Sequence, residues 1–138
     1  MSDINAWNEQ LIESFRTEGG RVGGNFEGVP LLILHTIGAR SGEARENPLV
    51  YLPIDDVFVV FASGGGAPRN PDWYHNLLAS PQAAIEVGID ILEVNARVAE
   101  GDERDRYWEL QKRIIPAFEE HDLKTERKIP VVILEPVG

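Results

Sequence analysis

Residues 31–63 read LLILHTIGARSGEARENPLVYLPIDDVFVVFAS, and they carry the clearest strand pattern in the chain. It holds three apolar runs rich in β-branched and aromatic residues, a composition typical of strands. The runs cover residues 31–37, 44–52 and 57–63, separated by the short breaks 38–42 and 53–56. Because sequential strands joined by short turns pair most readily with their neighbours, the stretch predicts a three-stranded antiparallel meander.

The segments on either side of the meander alternate between helices and strands. Ile4, Trp7, Leu11, Ile12 and Phe15 recur at helical spacing, which predicts an amphipathic helix over about residues 3–17 that stops at Gly19-Gly20. After the meander the pattern predicts a glycine loop, a helix over 71–79, a hairpin turning at residues 88–90, a helix ended by Pro116 and a last strand over 129–134.

The resulting order is α-β-β-β-α-β-β-α-β. About six mostly antiparallel strands are too many for one small flat sheet, so we expect them to curl into a barrel with flanking helices, a mainly β (α+β) fold. With 138 residues, 43% of them hydrophobic, the chain has the size of one domain spanning residues 1–138.

The charge and residue inventory excludes several classes of function. A formal net charge of −10 would repel nucleic acid and anionic lipid, so neither partner is expected. The chain has no cysteine, which rules out thiol chemistry, and its three histidines lack metal-ligand spacing, so no metal is expected. No apolar run reaches the ~20 residues needed to span a bilayer, and a cytoplasmic location is expected.

Positive charge is concentrated in the glycine-rich turns. Between Val22 and Glu100 the only basic residues are arginines, and three of the four lie in or beside two such turns: Arg40, Arg45 and Arg69, with Arg97 the exception. Backbone N–H groups and arginine forks suit a phosphate or carboxylate, so the turns are candidates for an anion cradle. The alternative is ordinary surface pairing with Glu43, Glu46 or Asp72.

Two further features admit a functional and a structural interpretation. Trp73-Tyr74-His75-Asn76 opens the helix after the glycine loop, where its aromatic rings either stack on a planar ligand or plug the barrel. His35 lies within an apolar strand and fits a hydrogen-bonded core histidine better than a catalytic one.

Three ordered blocks of sequence resemble the deazaflavin (coenzyme F420)-dependent nitroreductase and oxidoreductase family, a branch of the FMN-binding split-barrel proteins. They are GRVGGNFEGVPLLILHTIGARSGEARENPLVYL, FASGGGAPRNPDWYHNLLASP and RKIPVVILEP, which together run from about Gly19 to Pro136. The resemblance implies a split β-barrel, and a cofactor with a deazaflavin ring, a ribityl phosphate and an oligoglutamate tail.

The resemblance also implies roles for individual residues. Those that would hold the phosphate and tail are Arg40, Ser41, Gly42 and Arg45. Those that would frame the ring are Asn47, Pro48, Leu49, Ala62, Ser63, Gly64, Gly65, Gly66, Ala67, Trp73 and Asn76. Many relatives carry lysine where this chain has Arg40 and Gly64, and arginine preserves the charge only at the first position.

The substrate side of the site departs from the family pattern. Members that reduce nitroimidazoles carry several tyrosines in the region matching Ile115, Phe118 and His121, and this chain keeps an aromatic ring only at Phe118. We therefore expect conjugated enones, lactones or quinones to be better hydride acceptors than nitro compounds. Candidate proton donors are Tyr74, His75 and His121, each with an equally available structural role.

Two alternatives to a deazaflavin-dependent reductase stay open at the level of sequence. The same pocket would also serve a protein that stores the deazaflavin without turnover. A split barrel that uses FMN, which carries a phosphate too, would likewise need the arginine-rich turn. A small-molecule substrate is expected in the enzymatic case, and the sequence does not indicate an oligomeric state.

Overall fold

The computed structural model describes residues 3–19 and 30–137, and the side chains of residues 3–8 lie outside that description. Four helices are present in it: α1 (Asp3–Thr17), α2 (Asp72–Ala79), α3 (Gly101–Ile114) and α4 (Ala117–Lys124). The six strands are β1 (Leu31–Ile37), β2 (Ala44–Ile54), β3 (Val57–Phe61), β4 (Gln82–Val87), β5 (Asp90–Val98) and β6 (Val131–Pro136). The segment 20–29, which opens the first resemblance block, is outside the described residues.

The strands close into a barrel in the order β1-β2-β3-β6-β5-β4, with β4 pairing back onto β1. Every pairing is antiparallel. The predicted meander is confirmed in β1, β2 and β3, and so is the predicted hairpin in β4 and β5. Closure removes the open sheet edges that six strands would otherwise leave.

Strand alternation divides the apolar residues between the inside and the outside of the barrel. Leu32 and Leu34 of β1 face the interior with Val60, Ile85 and Val132, whereas Leu31 and Ile33 face α1. This explains why β1 reads as a continuous apolar run, since both of its faces are covered. Helix α1 buries Leu11, Ile12 and Phe15 on that outer face, and Gly19, with φ of +66°, follows the end of the helix as predicted.

The opposite outer face is covered by α3 and α4. Trp108 of α3 and Phe118 of α4 pack on Phe61 and Ile133 from β3 and β6. The sequence predicted a single helix ending at Pro116. In the structure α3 ends at Ile114, and α4 begins directly after the proline. Proline is compatible with the start of a helix, because the first N–H groups of a helix have no intrahelical partner. No helix in the described residues is long and apolar enough to cross a membrane.

Candidate cofactor and substrate site

The antiparallel topology places both glycine-rich turns at one end of the barrel. The arginine turn (residues 38–42) joins β1 to β2, and the glycine loop (residues 62–67) follows β3. Since β3 runs antiparallel to β2, the start of β2 and the end of β3 lie at the same end. Helix α2 starts after the glycine loop and reaches the arginine turn through Asn76. Most of the predicted cofactor residues are therefore brought together there.

The strands also leave a gap at this end. Among the described residues, the pairing of β3 with β2 is confined to residues 51–54 of β2, while residues 44–50 of β2 pair with β1 alone. Beyond Phe61 the chain turns away into the glycine loop, where Ala62 N–H donates to Pro130 O at 3.0 Å. The free edge of β2, which carries Asn47, Pro48 and Leu49, therefore borders a split in the sheet. A planar ligand can enter a barrel at such a break.

The arginine turn is tight and presents its cations to solvent. Gly38 N–H donates to Glu43 O at 2.7 Å and Gly42 N–H donates to Gly38 O at 2.9 Å. Arg40, Ser41 and Gly42 are exposed. Arg45 is 51% exposed and forms an ion pair with Glu43 at 3.2 Å. One surface pair of the predicted alternative is thus present, but Glu46 binds Arg16 instead.

Helix α2 is attached to the arginine turn by one buried side chain. Asn76 accepts a hydrogen bond from Ala39 N–H at 2.9 Å through Oδ1 and donates from Nδ2 to Thr36 Oγ1 at 3.0 Å. With its amide used in this way, Asn76 holds the turn against the helix. A contact of Asn76 with the cofactor ring, which the family resemblance implies, would have to use the remaining N–H of its amide or its carbon atoms. The helix itself begins at Asp72, one residue later than predicted.

Two aromatic residues assigned to the site from the sequence, Trp73 and Phe118, are buried in the structure. Trp73 is 4% exposed and packs inside the barrel with Leu32 and Leu34. Phe118 is 8% exposed and packs edge-on against Phe61 at 5.9 Å between ring centroids. This burial agrees with the barrel-plug interpretation of Trp73, and a contact of either ring with a ligand stays a prediction. The alternation of apolar residues did not distinguish the two cases.

Helix α4 lies on the glycine loop through His121. The Nδ1 atom of His121 is 3.2 Å from Ser63 Oγ, and its ring is 5.0 Å from that of Phe118. Desolvation lowers the pKa of His121 below 6.5, so the imidazole is neutral at pH 7. The segment after Pro116 thus folds over this end of the barrel, with Ile115 half-buried beside it.

The other two candidate proton donors occupy different surroundings. His75 is exposed, with its ring 5.7 Å from that of Tyr74. Tyr74 lines an open apolar groove of about 500 Å³, counting the space open to solvent, between α2 and β5. Leu77, Pro81 and Ala96 share that groove. Arg97 borders it too, but its charge is taken up by Glu103 at 2.8 Å and Glu135 at 3.4 Å.

His35 is on the outer face of the barrel, not in its interior. Its Nε2 lies 2.6 Å from Glu86 Oε2, and Arg16 Nη2 lies 2.6 Å from a carboxylate oxygen of both Glu46 and Glu86. Ligand atoms of His35, Glu46 and Glu86 lie within 4.8 Å of one another. Because a guanidinium bridges the two carboxylates, the group serves as an ionic attachment between α1 and the barrel.

Arg127, which was not among the predicted site residues, donates three hydrogen bonds to the glycine loop. Its guanidinium donates to Ala62 O at 3.1 Å, Ser63 O at 2.8 Å and Ala67 O at 2.9 Å, and to Asn70 Oδ1 at 2.6 Å. The only signal available in the sequence was its position at the head of the RKIPVVILEP block. Its acceptors are 57 to 65 residues away, so no local pattern marks it.

Comparison with known proteins shows which family the chain belongs to. The family model for F420H(2)-dependent quinone reductases matches residues 7–136. The chain belongs to this quinone reductase family. An F420H(2)-dependent quinone reductase of Mycobacterium tuberculosis is 35% identical over 145 residues, covering 96% of this chain and 97% of the relative. The family is one of oxidoreductases that use reduced coenzyme F420.

Solved structures agree with this membership of the quinone reductase family. An F420-H2 dependent reductase, FDR-A, superposes with a TM-score of 0.70 at 37% identity, covering 77% of this chain and 94% of its own. A second structure, described as a domain-swapped dimer, superposes with a TM-score of 0.72 at 34% identity and covers 96% of both chains. The split-barrel expectation is therefore confirmed.

The residues present fit the family's acidic cofactor. Arg40 and Arg45 are exposed at the arginine turn, and within the described residues Glu43 is the one carboxylate paired with either. An anionic phosphate or carboxylate can compete with a half-exposed ion pair of that kind, because such pairs are worth at most about 1 kcal/mol. The split between β2 and the glycine loop provides an entrance beside these cations.

Proposed function

We propose that this member of the quinone reductase family transfers hydride from reduced coenzyme F420 to quinones and conjugated enones or lactones. The proposal is carried by one observation beyond family membership: the split beside β2 has exposed arginines at one side and the glycine loop at the other. An acidic chain thereby concentrates cations where an acidic cofactor would dock.

Binding follows from the residues that border the split. Arg40, Ser41, Gly42 and Arg45 would hold the phosphate and acidic tail, since arginine forks and turn N–H groups match oxyanions. The edge of β2 and the glycine loop would flank the ring. When bound, the reduced deazaflavin supplies the hydride, so the protein needs no nucleophile of its own.

The substrate would lie near α4. Ile115 is half-buried there and His121 contacts the glycine loop. A neutral imidazole has one N–H, which can donate a hydrogen bond to a carbonyl oxygen as negative charge develops on it. His121 is thus the favoured donor, because its ring reaches Ser63 of the glycine loop, whereas Tyr74 lines the groove beside β5 and His75 is exposed on α2.

The test is a comparison of cofactors and acceptors with one purified preparation. We expect kcat/KM to be highest with the reduced deazaflavin and a quinone or coumarin-type lactone, and lower with a bicyclic nitroimidazole. Faster oxidation of reduced FMN would support an FMN enzyme. Tight deazaflavin binding without turnover of any acceptor would support a storage protein. The best rate with the nitroimidazole would contradict only the choice of substrate.

Two broader expectations accompany the proposal. The enzyme would be cytoplasmic, which cell fractionation checks. Its partners would be small molecules. The sequence indicates no oligomeric state, and sedimentation measures it.

A further inference from the structure

Arg127 stands out because its cationic group is satisfied entirely by neutral acceptors. Three are backbone carbonyls of the glycine loop and one is the Asn70 side chain. Among the side chains that the structure describes in residues 9–19 and 30–137, no carboxylate forms an ion pair with it. Arginine keeps its charge in proteins, so a fixed positive charge lies directly behind the loop.

The direction of these bonds has a consequence for the N–H groups of the loop. In a planar trans peptide the C=O and the following N–H point in opposite directions. Because the Ala62 and Ser63 carbonyls point to Arg127, the N–H groups of Ser63 and Gly64 point away from it. Neither N–H donates to a backbone acceptor in the part of the chain that the structure describes.

We propose that Arg127 is a positioning residue for the cofactor: it fixes the glycine loop so that the N–H groups of Ser63 and Gly64 are presented to the deazaflavin. The inference rests on the proposed function of the split as the cofactor site. Arg127 would act through the loop and would not itself touch the ring.

A single guanidinium suits this task for geometric reasons. Its fork donates from three nitrogens to four acceptors at once, which a lysine ammonium cannot do with the same spread. The loop has other polar contacts as well: Gly66 N–H donates to Ser63 O at 2.9 Å, Ala67 N–H to Gly64 O at 3.3 Å and Ala62 N–H to Pro130 O at 3.0 Å, and His121 Nδ1 lies 3.2 Å from Ser63 Oγ. Without Arg127 the loop would keep these contacts and lose the hydrogen bonds that orient the Ala62, Ser63 and Ala67 carbonyls.

Arg104 offers a matched control. It is also a buried arginine that donates to backbone, with Nη2 2.7 Å and Nε 3.2 Å from Ile129 O, in the same C-terminal segment. It makes no hydrogen bond to the glycine loop. Arg104→Ala therefore reports the general cost of removing a buried arginine.

In the experiment, coenzyme F420 is titrated against wild-type protein, Arg127→Ala, Arg127→Lys and Arg104→Ala. The fluorescence of its deazaflavin ring reports binding. We expect Kd to rise about tenfold or more in Arg127→Ala and less in Arg127→Lys, with Arg104→Ala within about twofold of wild type. Millimolar guanidinium should restore affinity to Arg127→Ala alone. Amide exchange of residues 62–67 should be faster in Arg127→Ala before any cofactor is added.

The outcomes separate this inference from the proposed function. Failure of the wild-type protein to bind the deazaflavin contradicts the cofactor site itself. Wild-type binding with an unchanged Kd in Arg127→Ala overturns the role of Arg127. If Arg127→Ala does not fold, the Kd values of Arg127→Lys and Asn70→Ala for the deazaflavin test the role of Arg127 instead. Asn70→Ala removes one acceptor of the guanidinium, and an unchanged Kd in both variants overturns the inference.

Discussion

At the scale of single residues, the cations of the arginine turn differ from the other arginines in their pairing. Arg97 is bound by two carboxylates and Arg16 bridges two others, whereas Arg45 is half-exposed with one partner. An incoming oxyanion therefore meets less compensated charge at Arg45 and Arg40 than at Arg16 or Arg97.

We predict that Arg45→Ala weakens binding of the deazaflavin cofactor by about 1.5–3 kcal/mol, the range for hydrogen bonds to charged groups. Fluorescence titration at fixed ionic strength measures the change. Arg97→Ala is the control and should leave Kd unchanged, since its charge is already used by Glu103 and Glu135. Equal affinities of Arg40→Ala, Arg45→Ala and wild-type protein would rule out the anion cradle.

At the scale of elements, α1 is attached to the barrel by an apolar face and one ionic cluster. Arg16 donates to Glu86 at 2.6 and 3.0 Å and to Glu46 at 2.6 Å, joining the helix to β4 and β2. The hydrogen bond from Arg16, and secondarily that from His35, lowers the pKa of the Glu86 carboxyl below 4.5, although burial opposes the shift. The ionised form is therefore the one that stabilises the folded state.

We predict that Glu86→Gln lowers the free energy of unfolding by about 1 kcal/mol at pH 7, a partly exposed network being worth little more. A carboxyl with a depressed folded pKa contributes fully above its unfolded value and loses that contribution as pH falls through the folded value. The difference between wild type and variant should therefore shrink below pH 4.5. Urea unfolding at several pH values tests this, with exposed Glu93→Gln as the control.

The contact between α4 and the glycine loop depends on a residue without a side chain. A Cβ on Gly66 would lie 2.9 Å from Lys124 Cβ and 3.1 Å from His121 O, and Gly66 has φ of +86°. Backbone strain of about 1–2 kcal/mol would add to the clash. The short distance between loop and helix is thus available only to glycine.

Gly66→Ala should cost about 2–4 kcal/mol, combining left-handed strain with overpacking. Gly88→Ala is a matched control, because Gly88 has φ of +59° with nothing within 4 Å of its Cβ position, and should cost about 1–2 kcal/mol. Thermal or urea unfolding compares the two. Similar losses would mean that α4 moves aside without cost.

The elements also show what sequence can predict. All six strands and their pairing partners in the meander and the hairpin followed from alternation and turn residues. Helix α4 did not, because its eight residues have weak amphipathicity and form a helix where they pack on the glycine loop. The barrel-plug position of Trp73 was one of two interpretations that the sequence left open, whereas the contacts of Arg127 could not be predicted, because they depend on residues far away in the chain.

At the scale of the whole molecule, the closed barrel connects the apolar cluster in its interior with the outer cluster under α3 and α4. Val60 and Val132 belong to the interior cluster, while their neighbours Val59 and Val131 belong to the outer one. Strands β3 and β6 therefore contribute to both clusters at once. Separate unfolding of either cluster would break the same backbone hydrogen bonds.

We predict that the chain unfolds as one cooperative unit, as expected for a single domain of this size. Trp73 reports the interior cluster and Trp108 the outer one. Urea midpoints followed by fluorescence in two variants that each keep one of these tryptophans, Trp7→Phe/Trp73→Phe and Trp7→Phe/Trp108→Phe, should each coincide with the midpoint of that variant's circular dichroism. Two separate midpoints within either variant would contradict the single-domain prediction.

The free edge of β2 has a consequence for how the protein behaves at high concentration. An unpaired strand edge is a template on which another chain can add a strand and begin to aggregate. Pro48 has no N–H to offer, and proline in a strand is tolerated where its nitrogen faces away from the neighbouring strand. Pro48→Val should therefore scatter more light on prolonged incubation than Pro53→Val, which lies where β2 is already paired with β3. The opening proposed to admit a cofactor would thus be protected from self-association by the same residue that borders it.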